Sequence, residues 1–233
     1  MTPAYERALI VGAGDGLSAS LARLFVANGL RVGLAARNID KLSGLAQETG
    51  AATHAADASR PEDVDALFAH MEGALGGAPD VVVYNPSARL RGPLVDLDPG
   101  AVAQALSVTC YGGFLVAQAA ARRMVPAGQG AILFTGASAS VKGYPGSAPF
   151  AMGKFALRGL AQSIARELAP KGIHVAHFVI DGAIRHPGRG QPTDPPDARL
   201  NPDAIARSYL HILSQDRSAW TWEVELRPWV ERF

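Results

Sequence analysis

The chain has 233 residues, 48% of them hydrophobic and 18% charged, with 22 lysines and arginines against 21 aspartates and glutamates and a formal net charge of +1. A chain this apolar buries one substantial core, which excludes intrinsic disorder, and its near-neutral balance supplies no bulk attraction to nucleic acid or to an anionic membrane. The single cysteine, Cys110, excludes an internal disulfide and a cysteine-rich zinc site, and among small and apolar neighbours it reads as buried and inert. No apolar run approaches the roughly 18 residues of a membrane helix, and the start lacks the basic-then-apolar pattern of a secretory leader, so a cytoplasmic protein is expected.

The apolar run at 8–11 ends in glycines. Leu17, Leu21, Leu24 and Phe25 then recur at helical spacing until Asn28-Gly29 stops them, which predicts strand, tight turn and helix. Residues 31–35 form a second apolar run, and 38–48 carry Ile39, Leu42, Leu45 and Ala46 at helical intervals before Gly50, so the unit repeats. A weaker strand at 51–56 is followed by a helix at 61–75 with Pro61 in its first turn, and then by a strand at 80–85. Residues 99–124 read as one long helix or two abutting ones, in which Gly112-Gly113 either bends the helix or admits a close neighbour. A strand at 131–134, a long helix at 147–168, a β-rich run at 173–180, a helix at 202–213 and a strand at 222–226 complete the series. Short apolar strands alternating with helices predict a three-layer doubly wound (Rossmann) α/β fold. It has about seven parallel strands and forms one domain over 1–233. Residues 185–201, which include Pro187, Pro192, Pro195 and Pro196, have no periodicity and are expected to form a loop.

Gly12-Ala13-Gly14-Asp15-Gly16 follows the first strand and opens the first helix. In that context small residues let backbone N–H groups and a helix N-terminus approach a pyrophosphate. Three glycines in five residues favour this reading over a turn used for packing alone. The second strand ends in Ala35-Ala36-Arg37-Asn38, with no carboxylate for a ribose 2′-hydroxyl, so Arg37 is placed to meet a 2′-phosphate. NADP(H) is therefore preferred, with NAD(H) as the alternative, although Asp15 sits unfavourably near a phosphate. The six histidines form no i, i+4 pair and no cluster with carboxylates, so no metal is expected, and no Gly-x-Ser-x-Gly elbow suggests a hydrolase.

These residues, with those further along, resemble the short-chain dehydrogenase/reductase family over nearly the whole chain. Gly12-x-x-x-Gly16-Leu17 is similar to the family's phosphate turn, with Ser18 in place of its last glycine. Asp57-Ala58 falls where the family contacts adenine, Asn85-Pro86-Ser87 stands for Asn-Ala-Gly, and Phe150-Ala-Met-Gly-Lys154 stands for Tyr-x-x-x-Lys. The resemblance implies that Gly12, Gly14, Asp15, Gly16, Leu17, Arg37, Asp57, Ala58, Asn85, Lys154 and Gly182 hold the cofactor. In the family the tyrosine is the general acid, and the lysine binds the nicotinamide ribose and lowers the tyrosine's pKa. Phe150 has no hydroxyl, yet its i, i+4 spacing from Lys154 keeps the two on one helical face.

Ser138, with Ala137 as the alternative register, takes the place of the family's serine, and Thr109 that of its helix asparagine. Asp181-Gly182 replaces Pro-Gly, and His186 lies nearest the following threonine. Tyr144, in a Gly-Tyr-Pro-Gly turn, is a second phenol, with packing against the site wall as its more ordinary role. The resemblance is thus to an atypical branch with phenylalanine at the catalytic tyrosine. Its implied activity is NADP(H)-preferring hydride transfer to or from a small carbonyl, alcohol or activated alkene, with Ser138 and Lys154 in the site and the proton from water, Tyr144 or the substrate. A nucleotide-binding protein without turnover, acting as a redox sensor or structural subunit, is the alternative. The resemblance further implies a homodimer or homotetramer through 102–124 and 147–168, and a substrate lid with helices where this chain offers the loop at 185–201. The partner is a small-molecule substrate, with neither nucleic acid nor membrane. Trp220, Trp222 and Trp229 are expected to line a pocket or to close a subunit contact.

Overall fold

The computed structural model describes residues 5–186 and 195–230. Its strands are β1 (Arg7–Val11), β2 (Arg31–Ala36), β3 (Ala52–Ala55), β4 (Val81–Tyr84), β5 (Gly130–Thr135), β6 (Ile173–Ile180) and β7 (Glu223–Leu226). They form one sheet in the order β3-β2-β1-β4-β5-β6-β7, with every neighbouring pair parallel. The helices are α1 (Leu17–Ala27), α2 (Ser43–Thr49), α3 (Pro61–Leu75), α4 (Pro99–Leu106), α5 (Gly112–Ala127), α6 (Ala148–Leu168) and α7 (Pro202–Leu213).

The inner strands β1, β2, β4 and β5 read as apolar runs because both faces of the sheet are covered there, so polar residues have no open face to occupy. Within β1, Ala8 and Ile10 join the core under α1 and α7 with Leu21, Phe25, Ile205 and Tyr209. Leu9 and Val11 point the other way, into the core under α3, α5 and α6 with Phe68, Val116 and Leu157. Helix boundaries follow local chemistry. Pro61 opens α3, with Glu62 and Asp63 in its first turn and Gly76 closing it in the left-handed conformation. The Asp98 side chain caps α4 by accepting from the Ala101 N–H at 2.6 Å.

The expected long helix is continuous from Pro99 to Ala127, and its irregularity is a single π-helical turn, Ser107–Tyr111. The Tyr84 hydroxyl donates to the Val108 carbonyl at 2.5 Å within that turn. Gly112 and Gly113 serve as close contacts rather than as the bend. A Cβ on Gly112 would lie 2.5 Å from the Tyr84 hydroxyl, and one on Gly113 would lie 2.6 Å from Leu157. Contrary to the expectation that no run approaches membrane-helix length, this 29-residue helix is long and apolar enough to cross a membrane by length and composition alone. Here Val116, Ala117, Ala120 and Met124 pack into the core instead.

The sheet order reverses between β1 and β4. At such a switch point the loops leaving the carboxyl ends of the two central strands diverge to opposite faces and open a crevice. The segments starting at Gly12 and Asn85 therefore meet there. Segment 185–201 is non-helical where described; 187–194, with Pro187 and Pro192, lies outside the described residues. Its ends are held together, since Arg185 N–H donates to Leu200 C=O at 2.8 Å and Leu200 N–H to Ala183 C=O at 2.9 Å.

Candidate active site

Two cavities lie along the crevice and share Asp15, Asn85 and Ser87 in their walls. One, of about 570 Å³, is lined by Gly12, Arg37, Lys41, Asp57, Ala58 and Pro86. The other, of about 460 Å³, is lined by Gly16, Leu17, Arg89, Phe150, Lys154, Gly182 and His186.

The glycine turn joins them. Gly12 (φ 79°) and Gly16 (φ 86°) occupy backbone conformations that other residues reach only under strain. A Cβ on Gly12 would also lie 2.6 Å from the Pro86 nitrogen, so the turn and the 85–87 loop touch through the missing side chain. Gly12→Ala is accordingly expected to lower the unfolding free energy by about 1–3 kcal/mol, read from the urea midpoint. Gly16 begins α1 without a side-chain cap, and its N–H groups are left for another acceptor. Ser18, standing where the family has glycine, receives a hydrogen bond from the Asn85 side-chain amide at 2.7 Å and thereby ties β4 to α1. Gly14 is open, with the Lys41 ammonium 4.0 Å from the position of its Cβ.

Across the first cavity Arg37 is exposed in the bend after β2, and Lys41 follows in a short 3-10 turn, Asp40–Leu42. The Asp57 carboxylate accepts from the Ser59 N–H at 3.0 Å and hydroxyl at 2.7 Å. Those bonds, with Arg37 and Arg60 nearby, hold its pKa below the ordinary value.

In the second cavity Lys154 is 2% exposed, and its ammonium donates to the Thr135 carbonyl at 2.7 Å. Burial, reinforced by the charge of Arg89, lowers its pKa to about 7. Phe150, one turn earlier on α6, lines the same cavity, and the guanidinium carbon of Arg89 sits 5.1 Å from the centre of its ring. The Arg89 loop is pinned on both sides. The Ala88 N–H donates to the Thr109 hydroxyl at 3.1 Å, and the Gly92 N–H to the Gly146 carbonyl at 3.0 Å. Thr109 sits in the π turn and packs against Gly153, where a Cβ would lie 2.9 Å from it.

Behind the cavity a chain of polar groups, buried at Ser140 and His177 and partly exposed at Arg158, braces its wall. Arg158, one turn after Lys154, donates two bonds to Glu223 at 2.6 and 2.8 Å. Glu223 lies 3.1 Å from His177 Nδ1, and His177 Nε2 lies 3.3 Å from the Ser140 hydroxyl, which accepts from the Ala137 N–H at 3.1 Å. Burial lowers the His177 pKa to about 4 despite Glu223, so near neutral pH it is an uncharged link in this chain. Ser140 and His177 are both 0% exposed, so this serine–histidine–glutamate series has no substrate access and serves as a brace.

Most of the residues expected at a cofactor site meet at the two cavities, namely Gly12, Asp15, Gly16, Leu17, Arg37, Asp57, Ala58, Asn85, Lys154 and Gly182. Ser138 is half-buried and lines neither cavity, whereas Ala137 does. Tyr144 is 45% exposed and likewise lines neither. The tryptophans line neither cavity: Trp220 stacks on His174 at 4.6 Å, Trp222 lies under Arg158 at 5.7 Å, and Trp229 is 80% exposed. Cys110 is half-buried rather than fully buried, and burial raises its pKa. Asp181, in place of the family's proline, pairs with Lys142 at 3.0 Å and Arg227 at 3.9 Å. Sequence reasoning missed Arg89, Lys41, the bond from Asn85 to Ser18 and the Ser140–His177–Glu223–Arg158 chain. Of these, Lys41 lay nearest a residue already singled out, four positions after Arg37.

A doubly wound sheet with a glycine turn at its switch point is the architecture of Rossmann-type proteins. The profile of the short chain dehydrogenase family matches residues 6–186, and the chain belongs to that family. A short-chain dehydrogenase from Rhodopseudomonas palustris has a crystal structure that superposes with a TM-score of 0.82 at 34% identity, covering 97% of this chain and 100% of that one. A metagenomic short-chain oxidoreductase, crystallised in complex with NADP, superposes with a TM-score of 0.82 at 27% identity over 96% of this chain and 97% of its own. An uncharacterized oxidoreductase of Staphylococcus aureus is 26% identical over 227 residues, covering 95% of this chain and 96% of that protein.

Proposed function

We propose that the protein is an NADP(H)-preferring oxidoreductase that interconverts a small carbonyl compound, or an activated alkene, with its reduced form. In this reading it is a one-domain member of an atypical branch in which Phe150 replaces the catalytic tyrosine. The observation that carries the reading is Lys154, a buried ammonium on the cavity wall whose hydrogen-bond partner in the protein is a backbone carbonyl rather than a carboxylate. An ammonium has three donors, and burying it with one bond is costly unless a ligand's hydroxyls take the others. A nicotinamide ribose does that. The site fits the rest of the cofactor through Gly12 and Gly16 beside the uncapped start of α1, the Asp57-Ala58 wall, and Arg37 with Lys41 for a 2′-phosphate.

When bound, NADP(H) supplies or accepts the hydride, one hydride and one proton converting C=O to CH–OH. Lys154 orients the ribose, and Arg89 and Phe150 form the floor beneath the substrate. Ala137, rather than Ser138, stands on the cavity wall where the family's serine would orient a substrate. No phenol lines the second cavity among the described residues, so water is the proton source this site favours over Tyr144.

Calorimetric titration with NADPH and NADH tests the reading, and failure of both to bind at millimolar concentration overturns it. Arg37→Ala is expected to weaken NADPH by about 10- to 100-fold, the worth of a charge-assisted hydrogen bond, while NADH changes little. Equal losses for both cofactors would place Arg37 away from the 2′-phosphate.

A further inference from the structure

The family relationship does not say what enters the second cavity, but the arrangement of charge there does. Arg89 is exposed to the cavity and, among the described residues, no carboxylate pairs with it; its one defined contact is the face of Phe150. Its loop is fixed by the bonds from Ala88 to Thr109 and from Gly92 to Gly146, so the guanidinium is placed before any ligand arrives. The ring beneath it has no hydroxyl with which to compete for its donors. Around the cavity Arg89 is joined by Lys154, Arg185, His186 and Arg199, while Asp15 is the one carboxylate among the described lining residues. Arg185 pairs with Asp197 at 3.5 Å and Lys154 donates to the Thr135 carbonyl, whereas Arg89 rests on a ring face and keeps its N–H donors for a ligand.

We infer that the substrate carries a carboxylate, as an oxo acid or the corresponding hydroxy acid, and that Arg89, seated on Phe150, binds that carboxylate. The inference rests on the oxidoreductase reading above. The guanidinium presents a planar fork of N–H donors that matches a carboxylate two bonds at a time, whereas an ammonium offers a point charge. Phe150 then has a function of its own as the apolar platform that holds Arg89 in place, and a tyrosine hydroxyl there would offer the guanidinium a competing acceptor.

The test pairs 2-oxobutanoate with methyl 2-oxobutanoate, and acetoacetate with methyl acetoacetate, in the wild type, Arg89→Gln and Arg89→Lys. Each compound is titrated calorimetrically into the protein saturated with NADP+ and assayed for NADPH oxidation. At least one acid is expected to bind about 10- to 100-fold more tightly than its ester in the wild type. Arg89→Gln should abolish that preference and Arg89→Lys keep part of it. Equal affinity for acid and ester, a preference that survives in Arg89→Gln, or no binding of either acid would overturn the inference. NADP+ is titrated alone first. If it does not bind, the cofactor reading fails, and the same acid and ester titrations in cofactor-free protein still decide the role of Arg89. If NADP+ binds and the esters are reduced as well as the acids, the oxidoreductase reading stands and the carboxylate assignment falls.

Discussion

Phe150→Tyr is expected to raise NADPH-dependent carbonyl reduction by about 100- to 10,000-fold, the range that a positioned general acid contributes. Phe150 lines the cavity one helical turn before Lys154, so a hydroxyl added to its ring enters a site whose register on α6 is intact. Two cations would act on it. Arg89 lies over the ring and Lys154 is close enough to Arg89 for their charges to interact, and both favour the ionised phenol, which brings its pKa down toward the working range. Steady-state rates on a panel of aldehydes and ketones, with NADPH affinity measured alongside, give the result. A folded, NADPH-binding variant with no gain on any carbonyl would mean that the cavity has diverged in shape as well as in its acid. An increase confined to neutral carbonyls would show the new hydroxyl engaging Arg89.

Lys154→Met is expected to remove a pH dependence of stability that the wild type shows between about pH 7 and 10. The folded-state pKa of Lys154 is about 7 against an ordinary 10.5. In that interval the unfolded chain binds one more proton than the native state, so wild-type stability rises with pH by up to about 1.4 kcal/mol per unit. Below pH 7 both states are protonated and the contribution is flat. Above pH 10 the trend reverses, because burial raises the pKa values of Tyr84 and Tyr209 and the native state then holds the extra protons. Urea unfolding at half-unit steps from pH 6 to 10 reads the slope directly. The same slope in wild type and Lys154→Met would show that the ammonium is better solvated than its burial implies. The substitution also leaves the Thr135 carbonyl without its donor, which lowers stability at every pH by about 1–3 kcal/mol without changing the slope.

The fold was largely legible because its strands are buried on both faces. The runs at 31–35 and 131–134 match β2 and β5 to within a residue or two, and 173–180 coincides with β6. The strand at 51–56 was the weakest, and β3 is an edge strand of four residues that are not fully buried. The π turn at Ser107–Tyr111 left no trace in the pattern, because apolar spacing is nearly the same through a single wide turn and its partner Tyr84 comes from another strand. Gly12, Arg37 and Lys154 could be read from local spacing. Arg89 could not, since a lone arginine in a loop gains meaning from the ring it covers, and that ring arrives 61 residues later in the chain. The histidines show the same limit. On β6, His174 stacks on Trp220 while His177 meets Ser140, partners that only the fold brings near.

The brace behind the cavity also ties its wall to the strand that is synthesised last. Glu223 belongs to β7, the last of the seven strands to leave the ribosome, while Ser140, Arg158 and His177 have all emerged before it. A nascent chain folded as far as β6 would hold Arg158 without its carboxylate, and the Ala137 wall without the far end of its support. The Ala137 wall is therefore fully supported only after the outermost strand has docked, so a polypeptide interrupted before Glu223 keeps its glycine turn but not the rigid wall opposite it.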